Sequence, residues 1–265
     1  MKTAIKLVLI YLACQILAMV VAIIPTIAYY MIKYGSTEGS EKGALAPTMI
    51  LGFVFMTIYL WKKGYISKEK ETWSPVSGVF LLMSVLICFA TIIIIEQVQA
   101  LMPWLPNLME NTFDILQSGW GGILAIAILG PILEELLFRG AITRVLLKKY
   151  NPTKAIILSA LVFGIFHINP VQIVTATLMG LLLGWIYYKT ASLIPCILIH
   201  IVNNSLSVYM GLKYPDVDYS WELFTGTGYI ELIVAIAIFA GAFFVMSKTT
   251  IAYPWKESEE EQIEA

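Results

Sequence analysis

The sequence predicts an all-α fold, a polytopic membrane helix bundle of about eight transmembrane helices with both termini in the cytoplasm. Of the 265 residues, 59% are hydrophobic and only 13% are charged, whereas soluble domains carry about 25% charged residues. The mean hydropathy of +0.81 agrees with this prediction, as do repeated apolar stretches close to the ~20 residues that a transmembrane helix needs. We therefore expect residues 1–265 to form a single membrane domain.

Eight apolar stretches are candidate spans, and turn-forming or charged residues separate them. In chain order the candidates are Ile5–Met31, Leu45–Trp61, Val76–Ile95, Gly122–Leu147, Ala155–Ile168, Val171–Tyr188, Ser192–Met210 and Tyr229–Met246. The fourth is longer and the fifth is shorter than the ~20 residues of a typical span. The first is too long for the apolar core of a signal peptide and lacks a small-residue cleavage site, so we interpret it as an uncleaved span.

The distribution of basic residues predicts the orientation, because cytoplasmic loops of membrane proteins are enriched in Lys and Arg. With the N-terminus inside, thirteen of the 17 basic residues fall in cytoplasmic segments, three fall in outer loops, and Arg139 lies within the fourth span. The loop Glu96–Gly121 contains no Lys or Arg and is predicted to be external. Lys256 and the acidic segment Glu257–Glu264 are predicted to form a solvated cytoplasmic tail.

Three of the apolar stretches contain ionisable side chains far from their ends. The fourth contains Glu134, Glu135 and Arg139, and the only two histidines of the chain, His167 and His200, lie in the fifth and the seventh. Ionisable groups are costly in hydrocarbon, so they are rare there and usually functional. The net charge of −1 does not provide the basic surface that a nucleic-acid partner would need.

These side chains are predicted to lie at one depth in the membrane. Counted at 1.5 Å per residue from the cytoplasmic helix ends, Glu134, His167, His200 and Asn204 are each roughly 16–23 Å into the bundle. They belong to three helices that are far apart in sequence. A shared polar cavity is the simplest explanation.

The spacing within each motif indicates which side chains face each other. Residues four apart share a helix face, so Glu135 is expected to pair with Arg139, and His200 is expected to lie beside Asn204. Glu134 is turned about 100° from Glu135 around the helix and is expected to face the cavity. A carboxylate beside an imidazole can activate a water, and a His/Asn pair can donate to a developing oxyanion. These groups are the minimum set for hydrolysing an acyl bond.

The motifs Glu-Glu-x-x-x-Arg (134–139), Phe-x-x-x-His (163–167) and His-x-x-x-Asn (200–204) resemble, in order and in membrane context, those of one protease family. This is the CAAX-processing and bacteriocin-processing (CPBP, or Abi) family of intramembrane endopeptidases, which includes the type II CAAX prenyl proteases. The resemblance covers roughly Leu129–Val208. It divides the chain into N-terminal helices and loops, a catalytic core, and a last span with its acidic tail: 1–120, 121–210 and 211–265.

The resemblance also implies the roles of the site residues. Glu134 and His167 would activate the water, and His200 and Asn204 would form the oxyanion hole. The supporting residues that it implies are Glu135, Arg139 and Phe163. Members of the family have been described both as glutamate-dependent and as metal-dependent proteases. No cofactor is favoured for this chain; if a divalent metal such as zinc binds, its expected ligands are Glu134, His167 and His200.

The expected partners follow from the same resemblance. It implies a peptide or membrane-protein substrate within the lipid bilayer and a multi-pass protein of the bacterial cell (inner) membrane, whereas the net charge predicts no nucleic-acid partner. The alternative functions are a non-catalytic membrane scaffold or regulator, and a carrier with a proton relay through Glu134 and His167. Each motif taken alone is also compatible with helix packing, and a shift of one residue in the last motif would exchange Asn203 with Asn204.

Overall fold

The computed structural model describes residues 1–224, 227–249 and Trp255, and within these ranges it contains helices and no strand. The predicted all-α fold is confirmed. Lys256 and the acidic tail 257–264 lie outside the described residues. The main helices of the described part are α1 (Lys2–Tyr34), α2 (Leu45–Lys62), α3 (Gly78–Ala100), α4 (Glu110–Gln117), α5 (Trp120–Lys149), α6 (Pro152–Phe166), α7 (Pro170–Thr190), α8 (Ile194–Lys213) and α9 (Tyr229–Thr249).

Seven helices in the described ranges are long and apolar enough to cross a membrane, namely α1, α2, α3, α5, α7, α8 and α9. The fifth predicted span forms the shorter helix α6, of 15 residues. At 1.5 Å per residue its length is about 22 Å, less than the ~30 Å thickness of the hydrocarbon core. Two Asn-Pro pairs set this length, because a residue before proline avoids the helical conformation. Asn151-Pro152 begins α6, and Asn169-Pro170 begins α7 three residues after α6 ends.

α5 lies at the centre of the bundle. It contacts α1, α2, α6, α7 and α8, and every residue from Leu136 to Thr143 is buried. Six of the other helices pack in pairs, α1 along α2, α3 along α9 and α6 along α7, and α8 contacts both α3 and α5. α6 and α7 approach each other closely because α7 has a glycine, Gly180, at the contact. A Cβ added to Gly180 would lie only 3.1 Å from Phe163 and 3.2 Å from Ala160. Small residues permit such approaches between helices in lipid.

The orientation of the bundle stays a prediction, and cysteine labelling can test it. We expect Ser118→Cys, in the loop predicted to be external, to react with a membrane-impermeant maleimide on intact cells. Lys148→Cys should react only after permeabilisation. Both positions are exposed, whereas Cys88 and Cys196 are buried, so a Cys14→Ser background is sufficient. Labelling of the Lys148→Cys variant from outside would reverse the predicted topology.

Candidate active site

α5 carries two adjacent carboxylates at a point where its helical register changes. A short α-helical segment, Gly130–Glu135, lies between two π-helical segments, Ala125–Leu129 and Leu136–Thr143. π-Helical turns are rare and occur frequently at functional sites. Glu134 and Glu135 are the last residues of the α-helical segment, directly before the second π-helical segment.

Glu135 belongs to a fully buried ion pair. Its Oε1 accepts a hydrogen bond from Arg139 Nη1 at 2.8 Å, and both side chains are 0% exposed. Arg139 Nη2 also donates to the carbonyl oxygen of Gly180 at 3.3 Å. The guanidinium lies 4.6 Å from the centroid of the Phe163 ring, within the range of a cation–π contact. The four-residue spacing predicts this pair, which links α5 to α6 and α7.

The same carboxylate also binds His200, a contact that the motif spacing does not predict. His200 Nδ1 lies 2.8 Å from Glu135 Oε1, and the imidazole side chain is 5% exposed. A carboxylate can only accept a hydrogen bond, so Nδ1 is the donor. A carboxylate that accepts a hydrogen bond from one nitrogen of an imidazole fixes the tautomer and orientation of the ring. In the neutral imidazole, Nε2 of His200 therefore carries a lone pair and no hydrogen.

His167 is oriented by its own helix. Its Nδ1 lies 2.8 Å from the backbone oxygen of Phe163, and since a carbonyl oxygen only accepts, Nδ1 is again the donor and Nε2 the free acceptor. The Phe163 ring packs edge-on against both imidazoles, with centroid separations of 4.9 Å to His167 and 5.8 Å to His200. Phe163 thus contacts both histidines as well as Arg139.

Glu134 faces the two imidazoles. Its Oε2 lies 3.7 Å from His200 Nε2 and 4.0 Å from His167 Nε2. This oxygen is buried and has no hydrogen-bond partner among the residues that the structure describes. The separations are too long for direct hydrogen bonds and fit one small bridging atom, such as a water oxygen. The structure therefore brings together three of the four side chains that are predicted to share a depth.

Asn204, the fourth of these side chains, contacts α5, whereas Asn203 contacts Asn204. Asn204 Nδ2 donates to the Ile126 carbonyl at 2.9 Å, and its Oδ1 accepts from Asn203 Nδ2 at 3.0 Å. In the π-helical register, Ile126 would accept from the backbone N–H five residues later, but that residue is Pro131, which has no N–H. The side chain of Asn204 supplies the missing donor and connects α8 to α5 beside the site.

The predicted metal ligands converge but do not fit a metal site. Tetrahedral Zn²⁺ with bonds of ~2.0–2.2 Å would bring its donor atoms to about 3.3–3.6 Å from one another. The distances from Glu134 Oε2 to the Nε2 atoms of His200 and His167 are longer, at 3.7 and 4.0 Å. Across residues 1–224, 227–249 and Trp255, no group of three or more His, Cys, Asp and Glu is arranged to hold a metal ion. Cofactor-free catalysis stays a prediction.

The motifs do not predict two further polar residues near the site. Tyr11 of α1 accepts a hydrogen bond from Gln15 at 2.6 Å and packs on Phe166, the neighbour of His167, at a centroid distance of 4.7 Å. Asn169 is polar and only 2% exposed. The depth of Tyr11 in the membrane could have indicated it as a site residue, because Tyr11 lies about 14 Å from the start of α1 at 1.5 Å per residue. Asn169 gives no such signal, because asparagine before a helix is ordinarily a cap.

Comparison with known proteins addresses the resemblance. Residues 116–206, which include all four predicted catalytic residues, match the model of a family described as Rce1-like, type II CAAX prenyl endopeptidase Rce1-like. The predicted family resemblance is confirmed. The chain is also 34% identical over 107 residues to the protein "Putative membrane peptidase YdiL" of Bacillus subtilis (strain 168). That alignment covers 39% of this chain and 44% of the relative, so the chain spans less than half the length of the curated relative it matches. No solved structure gives a significant match.

Proposed function

We propose that the chain is an intramembrane endopeptidase of the CPBP type, which hydrolyses a peptide bond of a membrane-associated protein or peptide. The observation that carries this proposal is the position of Glu134 Oε2, 3.7 Å from His200 Nε2 and 4.0 Å from His167 Nε2. A buried carboxylate oxygen without a hydrogen-bond partner in the described structure is energetically costly. A water bound between this oxygen and the two Nε2 atoms would provide the missing hydrogen bond, and it is the nucleophile that the proposed reaction needs. The family match and the relative described as a membrane peptidase support the same chemistry.

In the proposed reaction Glu134 is the general base. It takes a proton from a water held between Glu134 and His167, whose unprotonated Nε2 accepts a hydrogen bond from the other O–H of that water. The water oxygen attacks the peptide carbonyl carbon, and the π electrons of the C=O bond move to the carbonyl oxygen. Glu134 then transfers the proton to the amide nitrogen as the C–N bond breaks. The products are a carboxylic acid and an amine.

The tautomer of His200 refines its proposed role. A neutral His200 that donates its Nδ1 hydrogen to Glu135 has no hydrogen on Nε2 to offer an oxyanion. It becomes an oxyanion donor only when Nε2 takes up a proton from solvent. The Glu135 carboxylate bonded to Nδ1 would stabilise the resulting imidazolium, as the Asp of a serine-protease triad stabilises its His. Asn204 is the second proposed donor. One of its amide hydrogens bonds to Ile126, and the other would bond to the oxyanion.

The proposed substrate is a peptide or a membrane protein rather than a prenylated C-terminus, and the proposed location is the bacterial cell membrane. The seven apolar helices found in the described ranges support a multi-pass membrane protein. The bacterial relative supports the cellular setting. Cleavage is then expected close to the depth of Glu134, where a transmembrane or membrane-inserted segment of the substrate would meet the site.

The proposal is tested by comparing the membrane proteomes of cells that carry the wild type or Glu134→Gln at equal protein levels. An uncleaved precursor should accumulate in the variant, and its product should carry a new terminus in the wild type. Peptide mapping of the new termini would identify both the substrate and the cleaved bond. Identical termini in the two strains would favour the scaffold or regulator over the protease.

Chelation is expected to leave cleavage unchanged, because the mechanism above uses no metal. The measurement is the turnover of the identified precursor by purified protein after treatment with EDTA or 1,10-phenanthroline and removal of the chelator. Activity that is lost and then restored by zinc would make Glu134, His167 and His200 metal ligands. It would also remove the oxyanion role of His200.

A further inference from the structure

His167 lies on a strained turn between α6 and α7. The backbone N–H of Asn169 closes on the His167 carbonyl oxygen at 2.6 Å. Between them, Ile168 has a φ of 61°, a left-handed conformation that is a genuine outlier for a β-branched residue. Strain of this kind persists only where the surrounding structure imposes it, and it is concentrated at functional sites. Some other contact must therefore hold the turn that carries His167.

The side chain of Asn169 provides that contact. Its Oδ1 accepts a hydrogen bond from the backbone N–H of Leu108 at 2.9 Å, and its Nδ2 donates to Asn107 Oδ1 at 2.9 Å. Asn169 is 2% exposed, whereas Asn107 is exposed on the segment between α3 and α4. We call residues 101–109 of that segment the 101–109 loop. One buried amide thus joins the 101–109 loop to the turn behind His167.

The other Asn-Pro pair of the chain shows that this use of the side chain is not the ordinary one. Asn151 also precedes a proline at the first position of a helix, and its side chain caps α6 by accepting from the Lys154 N–H at 2.9 Å. Asn169 occupies the same position before α7 but makes no such cap. A capping asparagine normally stabilises its own helix. At Asn169 that contribution is replaced by two bonds to the 101–109 loop.

We infer that Asn169 is a positioning residue for His167, and that Asn107 on the 101–109 loop holds Asn169 in place. The expected effect on catalysis rests on the proposed function, whereas the hydrogen bonds of Asn169 to Asn107 and Leu108 do not depend on it. His167 Nε2 lies 4.0 Å from Glu134 Oε2, and the turn fixes this separation from the α6 side. Without the clamp, Ile168 relaxes to a negative φ and His167 moves relative to Glu134. His200 keeps its place, because Glu135 holds it from α5.

Kinetics of the clamp variants test the inference. Asn107→Ala and Asn169→Ala are expected to lower kcat by up to about 100-fold with little change in KM, since a misplacement of about 1 Å at a reacting group has that effect. Asn107→Asp keeps the oxygen that accepts from Asn169 and should recover most of the loss. Asn151→Ala is the matched control, because it removes the same side chain before a proline-initiated helix at the opposite end of α6. It should leave kcat unchanged.

A compensating substitution tests the strain itself. Glycine adopts a positive φ without a steric penalty, so the turn no longer needs the clamp when Ile168 is replaced by glycine. The double variant Asn107→Ala/Ile168→Gly should therefore be more active than Asn107→Ala alone. Asn107 is exposed, so these variants test the inference even if Asn169→Ala does not fold. A double variant no better than Asn107→Ala would contradict the inference.

A measurement without substrate separates this inference from the proposed function. Exchange of the imidazole C2 hydrogen, followed by mass spectrometry, reports on His167 and His200 individually. Asn107→Ala and Asn169→Ala should change the exchange rate of His167 and leave that of His200 as in the wild type. An unchanged rate at His167 in both variants overturns the inference. If the proposed function fails instead, wild type and Glu134→Gln cleave nothing, while His167 exchange still responds to loss of the clamp.

Discussion

Glu134→Gln is expected to lower the kcat of peptide-bond cleavage by about 10²–10⁴-fold, the usual contribution of a general base, while the protein stays folded. Glutamine has the shape of glutamate but does not take a proton from water at neutral pH. Glu134 Oε2 is buried and has no hydrogen-bond partner in the described part of the chain. Removing its charge should therefore preserve or raise the temperature of thermal unfolding.

The measurements are kcat and the unfolding temperature of the purified protein, with His167→Ala alongside. The two losses should be strongly non-additive, because both residues act on the same water in one step. The double variant should then be about as slow as Glu134→Gln alone. Losses that multiply would assign the residues to separate steps. A folded and fully active Glu134→Gln variant would exclude Glu134 as the base.

Arg139→Ala is expected to cause the largest loss of stability, about 3–5 kcal/mol in the free energy of unfolding. It leaves the Glu135 carboxylate, which is 0% exposed, without its cation. It also removes the hydrogen bond to Gly180 and the contact with the Phe163 ring. The measurement is unfolding of the purified protein in detergent. A variant with wild-type stability would show that the pair is not needed to hold α5, α6 and α7 together.

A double-mutant cycle separates the ion pair from its neighbours. Glu135→Gln/Arg139→Met removes both charges. Its loss of stability should therefore be smaller than the summed losses of Glu135→Gln alone and Arg139→Met alone. Glu135→Gln should also lower kcat although Glu135 does not touch the proposed water, because the His200 imidazolium loses its counter-charge. Additive stabilities, or a fully active Glu135→Gln variant, would argue against the coupling of Arg139, Glu135 and His200.

Much of the candidate site could be predicted because helix geometry is regular. Counting residues from the helix ends places Glu134, His167 and His200 at one depth, and the structure brings both Nε2 atoms within 4.0 Å of one carboxylate oxygen. The four-residue spacing likewise predicts Glu135 beside Arg139. It does not predict that Glu135 also binds His200, because that contact joins helices whose relative rotation depends on tertiary packing.

The remaining differences also have physical causes. The fifth apolar stretch is continuous through Ile168, so hydropathy alone does not show that Asn169-Pro170 and a left-handed Ile168 end α6 early. The π-helical segments of α5 leave no mark in the sequence except Pro131, whose missing N–H is compensated by Asn204. These features depend on single backbone groups, which patterns of apolar residues do not report.

Hydrolysis inside a bilayer needs a supply of water, and α6 bears on that supply. A helix of 15 residues is about 22 Å long, so it is about 8 Å shorter than the ~30 Å of hydrocarbon around it. Lipids adapt to a short element by thinning locally, at a modest cost per ångström. A region thinned in this way would adjoin the end of α6, where His167 lies. In the proposed reaction, the short α6 would then give water its shortest path from the aqueous phase to Glu134 and His167.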